Sequence, residues 1–294
     1  MHLKKRWKWL FGIALIISPL LGLDSCMQFR MSSSEIKKYF ADRGLEATQH
    51  SYKVGNRVVN YVHTGNENKP VTIFVHGSPG SLSAFIHFLT DTVLLKQTQL
   101  ITVDRPGFGS SNFGDAEPSL EKQASLLKPL LEKYRNARPI ILVGHSLGGP
   151  VIARMAMDFP ELVDGLVMVA PSIDPELEPK EWFRGPLALP FLKWMLPRSI
   201  RASNDEIWNL KPELQSMEPL WSGIEANTIV IQGNEDTLVP PGNADFAKKM
   251  ITNAPVEVVM KEDMNHFVPW NNPQLIRDAI LKLSARSTLS LGSR

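Results

Sequence analysis

The 294-residue chain has a single cysteine, Cys26, so it can form no internal disulfide, and a disulfide-stapled scaffold is excluded. A chain of this length does not need one, because it can bury a substantial apolar core. A net charge is nearly absent too: 32 basic residues face 30 acidic ones, for a formal +2. Even that excess is local. Residues 1–30 carry Lys4, Lys5, Arg6, Lys8 and Arg30 against Asp24, a balance of +4, which leaves 27 basic and 29 acidic residues, or −2, in the rest. No basic stripe remains for nucleic acid, so a nucleic-acid partner is not expected. Metal-ligand spacing and internal repeats are also lacking, and neither a metal nor a cofactor is called for.

The N-terminus holds an apolar stretch, but it is short. The fourteen uncharged residues from Leu10 to Leu23 would span about 21 Å as a helix, against a hydrocarbon core of roughly 30 Å. Gly12, Pro19 and Gly22 interrupt them further. A basic start followed by a short apolar run has the layout of a secretory signal. Leu23-Asp24-Ser25-Cys26 resembles a bacterial lipoprotein box, with Asp24 departing from the usual small or apolar residue. That resemblance implies an exported, membrane-tethered protein lipidated at Cys26. An uncleaved N-terminal anchor is the alternative.

After residue 50 the pattern alternates between strand-like and helix-like segments, which predicts a mostly parallel sheet covered on both faces. Gly55-Asn56, set between alternating residues of Tyr52–His63, predicts an opening hairpin. The apolar runs Val71–Val75, Leu100–Val103, Ile140–Val143, Gly165–Val169, Thr228–Ile231 and Val256–Met260 read as buried strands. Helical stripes are predicted along Leu82, Phe85, Ile86 and Leu89, along Leu120 to Tyr134, and along Leu275 to Leu283. The Ser-rich tail from Ser284 is expected to be disordered. Residues 172–222 break the alternation: they are rich in proline, hold four of the seven tryptophans (Trp182, Trp194, Trp208, Trp221) and show no strand pattern. They are read as a helical cap built of short pieces such as Asn204–Leu210, with its tryptophans turned inward. The expected organisation is a signal or anchor at 1–26, a linker or helix at 27–50, a core at 51–171 and 223–285, the cap at 172–222, and a tail at 286–294.

Gly144-His145-Ser146-Leu147-Gly148 lies between the strand ending at Val143 and a helix-like segment from Val151. A serine on so sharp a strand-to-helix turn is held above the sheet, and glycines on either side allow close approach. The adjoining helix N-terminus favours negative charge. With His76-Gly77-Ser78-Pro79-Gly80 and Asp104-Arg105-Pro106-Gly107-Phe108-Gly109-Ser110-Ser111, this segment resembles the α/β-hydrolase superfamily over about residues 50–285.

The resemblance implies an eight-stranded α/β-hydrolase fold with an inserted cap and a serine-hydrolase triad. Ser146 is then the nucleophile. Leu147 and Ser78 are the oxyanion-hole residues, acting through backbone N–H groups. His266, between the last strand and the last helix, is the base, and Asp236, in the loop after Thr228–Ile231, is the acid. Asp174 stands at the alternative acid position. The implied substrate is a small or medium acyl compound, an ester, amide or relative. The oxyanion loop also resembles that of proline iminopeptidases, while the GHSLGG elbow is more like those of esterases and monoacylglycerol lipases. Carbon–carbon bond hydrolases share the same triad. The non-enzyme alternative is a catalytically silent binding module. The sequence leaves the oligomeric state open.

Overall fold

A computed structural model of the chain describes residues 27–135, 138–179 and 181–291. Cys26 and the rest of the N-terminal segment lie outside them. No helix among the described residues is long and apolar enough to cross a membrane.

The apolar runs become strands. In chain order these are β1 (Thr48–Val54), β2 (Arg57–Thr64), β3 (Val71–Val75), β4 (Gln99–Asp104), β5 (Ile140–His145), β6 (Gly165–Val169), β7 (Asn227–Gly233) and β8 (Val256–Lys261). They form one sheet in the order β1-β2-β4-β3-β5-β6-β7-β8. The β1–β2 hairpin is antiparallel and turns through Gly55-Asn56, with Gly55 at positive φ, as its sequence predicts. β2 also pairs antiparallel with β4, and every later pairing is parallel. β3, β4, β5 and β6 are buried along their whole length, which is why they read as continuous apolar runs rather than alternating ones.

The helices are α1 (Ser33–Ala41), α2 (Thr92–Leu95), α3 (Leu120–Tyr134), α4 (Gly148–Asp158), α5 (Arg184–Ala188), α6 (Pro190–Met195), α7 (Arg198–Met217), α8 (Gly242–Met250), α9 (Val268–Asn271) and α10 (Pro273–Leu291). Two apolar clusters cover the two faces of the sheet. On one, α3 and α4 pack over residues such as Ile73, Leu142 and Met168; on the other, α10 packs over Val143, Val167 and Ile229. The result is the α/β-hydrolase fold. The chain adds β4 on one side of β3 and then β5 on the other. This switch point is where open α/β sheets bind ligands, at the carboxyl ends of the strands.

Three sequence expectations require correction. Leu82 to Leu89 is not one α-helix but two short 3₁₀ turns, Leu82–Phe85 and Phe88–Thr90. Side chains draw its backbone groups away: Asp104 accepts from Leu82 N–H, while Thr102 and Thr64 donate to the carbonyls of Leu82 and Leu89. The tail is not disordered from Ser284, because α10 continues to Leu291; Lys282 and Arg286 pair with Glu257 on β8 along the way. Asn204–Leu210 is no short piece either, but part of the twenty-residue α7.

Candidate active site

β5 ends at His145, and the chain reverses through Ser146 straight into α4. Ser146 sits in the left-handed region at φ +54°, a conformation costly for a residue with a side chain. The turn is possible because its neighbours are glycines. A Cβ on Gly144 would lie 2.4 Å from the Gly148 carbonyl oxygen, and one on Gly148 would lie 2.2 Å from that of Val75. Ser146 N–H donates to Val169 O, while its own carbonyl accepts from Gly149 N–H. Leu147, as N-cap of α4, has an N–H among those that lack an intrahelical partner.

β7 and β8 deliver two more groups. Beyond β7, Asp236 is buried, and its Oδ1 accepts from the N–H groups of Leu238 (3.0 Å) and Val239 (2.8 Å). Its Oδ2 accepts from His266 Nδ1 at 2.8 Å and from Gln232 Nε2 at 3.2 Å. Burial opposes the charge on Asp236, but the bond from His266 and those from the two backbone N–H groups outweigh it and hold the carboxyl below its ordinary range. Because Nδ1–H of His266 is committed to the carboxylate, neutral His266 carries its lone pair on Nε2. Asp174, the alternative acid, accepts instead from Glu176 N–H in a local turn.

Ser146 and His266 line one cavity of about 570 Å³, together with the 77–81 loop, Ser83, Ala84, His145, Phe29, Leu238, Phe267 and Trp270. The structure therefore brings Ser146, His266, Asp236 and Ser78 together, with Leu147 next in the chain. The expected cap does not wall this cavity. No described residue of 172–222 lines the cavity; its apolar side comes from Phe29 before α1 and from residues around His266. The cap tryptophans do not turn inward either: Trp182, Trp194 and Trp208 are exposed, and only Trp221 joins the core.

Two histidines noted only as parts of motifs also act through their side chains. His145 Nε2 lies 2.9 Å from the His266 carbonyl, to which it donates when neutral. Burial, then the neighbouring His266, lowers its pKa to about 3, so it stays neutral. His76 Nε2 accepts from Arg105 N–H, which leaves Nδ1–H to donate to Gly77 O at 2.7 Å. Its pKa is well below the ordinary value because of burial and then the Arg105 charge.

Arg105, also buried, donates from Nε to His76 O at 2.7 Å and from Nη2 to Gly77 O at 3.0 Å. Its guanidinium is gripped from the cap by Glu206 of α7, with Nη1 to Oε1 at 2.5 Å and Nη2 to Oε2 at 3.0 Å, and by Gln123 of α3. The Asp-Arg-Pro-Gly turn signalled a motif here, but nothing in the spacing pointed to Glu206, 101 residues away.

The sequence profile of the alpha/beta hydrolase fold family matches residues 70–195, which include the elbow. The chain is 33% identical over 121 residues to a probable 1-acylglycerol-3-phosphate O-acyltransferase of Oryza sativa subsp. japonica, covering 40% of this chain and 29% of that protein. To Lipase 1 of Psychrobacter immobilis it is 26% identical over 245 residues, covering 72% and 75% of the two. The chain thus spans less than a third of the rice protein and three quarters of the lipase. Among solved structures, a candidate lipase of Acinetobacter baumannii AYE superposes with a TM-score of 0.66 at 21% identity, covering 88% of this chain and 98% of that one.

Proposed function

We propose that this protein, a chain with the α/β-hydrolase fold, is a serine hydrolase that cleaves an uncharged ester or related acyl bond through an acyl-enzyme. The observation that carries the reading is the hydrogen bond from His266 Nδ1 to the buried Asp236, made at a cavity that His266 shares with Ser146 on a strained turn. Ser146 Oγ would attack the acyl carbonyl while Nε2 of His266 takes its proton. The imidazolium so formed rests against the Asp236 carboxylate. Collapse of the tetrahedral intermediate breaks the acyl bond, and His266 returns the proton to the departing alcohol. Water, deprotonated in turn by His266, then attacks the acyl-Ser146 and releases the acid.

The oxyanion would lie on the backbone N–H groups of Ser78 and Leu147, each worth about 3–4 kcal/mol in such sites. The bonds around Arg105 support the role given to Ser78. In a trans peptide, N–H and C=O point in opposite directions. His76 and Arg105 both hold Gly77 O, so the N–H of Ser78 in the same peptide unit is turned to the other side.

Among the described residues the lining includes no carboxylate to receive a substrate ammonium group, which favours an ester over an aminoacyl substrate. Its apolar walls suit an acyl chain. The test is hydrolysis of esters of graded acyl length beside aminoacyl amides and lactones. The expected result is a kcat/KM that rises with medium acyl chains. Preference for a free amino group would overturn the ester assignment.

The basic start, the short apolar run and Cys26 support an exported, lipid-tethered location, which mass spectrometry of the mature N-terminus tests. A free Cys26 thiol or an intact Met1 would exclude the lipoprotein.

A further inference from the structure

The cap tryptophans, which turn away from the cavity, need another explanation. Trp182 is 80% exposed, Phe191 74%, Trp194 61% and Leu189 58%, all within thirteen residues. Isolated apolar residues on a surface are ordinary, but a concentration of large aromatic ones marks an interaction face. The helix geometry shows which way this face is turned. On α6, Phe191 and Trp194 stand three residues apart and share one side. Lys193, on the other side, reaches back to Asp205 of α7 at 2.6 Å. The aromatic side of α6 therefore points away from the body of the molecule.

We propose that this face, residues 182–194, docks in the headgroup region of a lipid bilayer. Three observations select a bilayer over another occupant. Tryptophan, with an apolar ring and one N–H, is the side chain best suited to a membrane–water interface. The cations within the face are already paired, Arg184 with Glu181 and Lys193 with Asp205, so the contact is apolar insertion and needs no anionic lipid.

The third observation is where the rest of the chain begins. Met27, the first described residue, accepts a hydrogen bond through its carbonyl from Ser199 in the first turn of α7, just beyond α6. The apolar run Leu10–Leu23 is separated from Met27 by only Asp24, Ser25 and Cys26. Four residue steps reach at most about 14 Å. A membrane entered by that run, or by a lipid on Cys26, would thus lie close to the start of α7, which follows the aromatic face directly in the chain.

The test uses the full chain with phosphatidylcholine vesicles whose acyl chains carry bromine, a quencher of tryptophan fluorescence. Native protein is compared with the double variant Trp182→Phe/Trp194→Phe, which keeps aromatic rings at two exposed positions and should leave the fold undisturbed. The expected result is that lipid-quenched intensity falls by about twofold or more in the double variant, with Trp208 and the N-terminal Trp7 and Trp9 supplying whatever quenching remains. Equal lipid-quenched intensity in both proteins overturns the proposal. That result follows if the chain does not bind the vesicles, or if residues 1–26 or a second copy covers the face instead. Neither readout depends on turnover, so the hydrolase reading stands or falls separately.

Discussion

Ser146 carries the attacking oxygen in this account, and replacing it should cost chemistry without costing structure. Its side chain fills no core, so Ser146→Ala is expected to abolish ester hydrolysis while the thermal unfolding curve stays in place, because the strain at positive φ is kept and no core contact is lost. Asp236→Asn should lower kcat by about 10⁴, because an amide both loses the charge facing the imidazolium and favours the wrong tautomer. Asp174→Asn should leave kcat within a few-fold of native, since Asp174 serves a local turn. Steady-state kinetics on one ester compares the two, and the reverse ranking would move the acid to the loop after β6. At this scale the sequence was most informative. Ser146, His266 and Asp236 each follow a strand end in a short, distinctive segment. His145 and His76 were harder to read, because their roles depend on which backbone carbonyl or N–H lies opposite in space.

At the scale of elements, the Arg105–Glu206 pair ties α7 of the cap to the loop that ends β3. Both side chains are almost completely buried, at 0% and 1% exposure, so removing one charge leaves the other stranded. Glu206→Gln should therefore destabilise the protein by about 3–5 kcal/mol, measured by urea unfolding. Arg105 also holds Gly77 O, so the same variant should lower kcat more than it raises KM. An unchanged kcat in folded Glu206→Gln would show that the cap does not position Ser78. The strands were legible because burial on both faces leaves an unmistakable apolar run, as in Val71–Val75. The segment from Leu82 was misread for the complementary reason. Its helical spacing is real, but the hydrogen bonds that divert its backbone, to Asp104 and from Thr102 and Thr64, involve distant positions.

For the molecule as a whole, buried neutral histidine sets a dependence of stability on acid. His145 has a folded pKa of about 3 against an ordinary 6.5, so between those values the unfolded chain binds the proton and the folded one does not. Stability from this residue is complete above pH 6.5 and is lost as pH falls toward 3. Asp104 works in the opposite direction over part of the range, because burial raises its pKa to about 6 and the folded form holds the proton first. A variant isolates the histidine. The stability advantage of native protein over His145→Gln should shrink by on the order of 2 kcal/mol between pH 7.5 and 4.5 in urea unfolding. A difference that does not vary with pH would contradict the assignment. The sequence could not show the cap's orientation. Proline-rich segments with short helices have no long period from which a buried face can be read, so Trp182 and Trp194, expected to turn inward, are on the surface instead.

The central claim is that Ser146 is a nucleophile activated by His266. Reaction with a fluorophosphonate followed by intact-mass and peptide mapping tests it most directly, since the reagent phosphonylates an activated serine whatever the natural substrate. The account predicts one adduct, on Ser146, that disappears in Ser146→Ala and slows by orders of magnitude in His266→Ala. An unmodified chain, or an adduct that persists in folded Ser146→Ala, would contradict it.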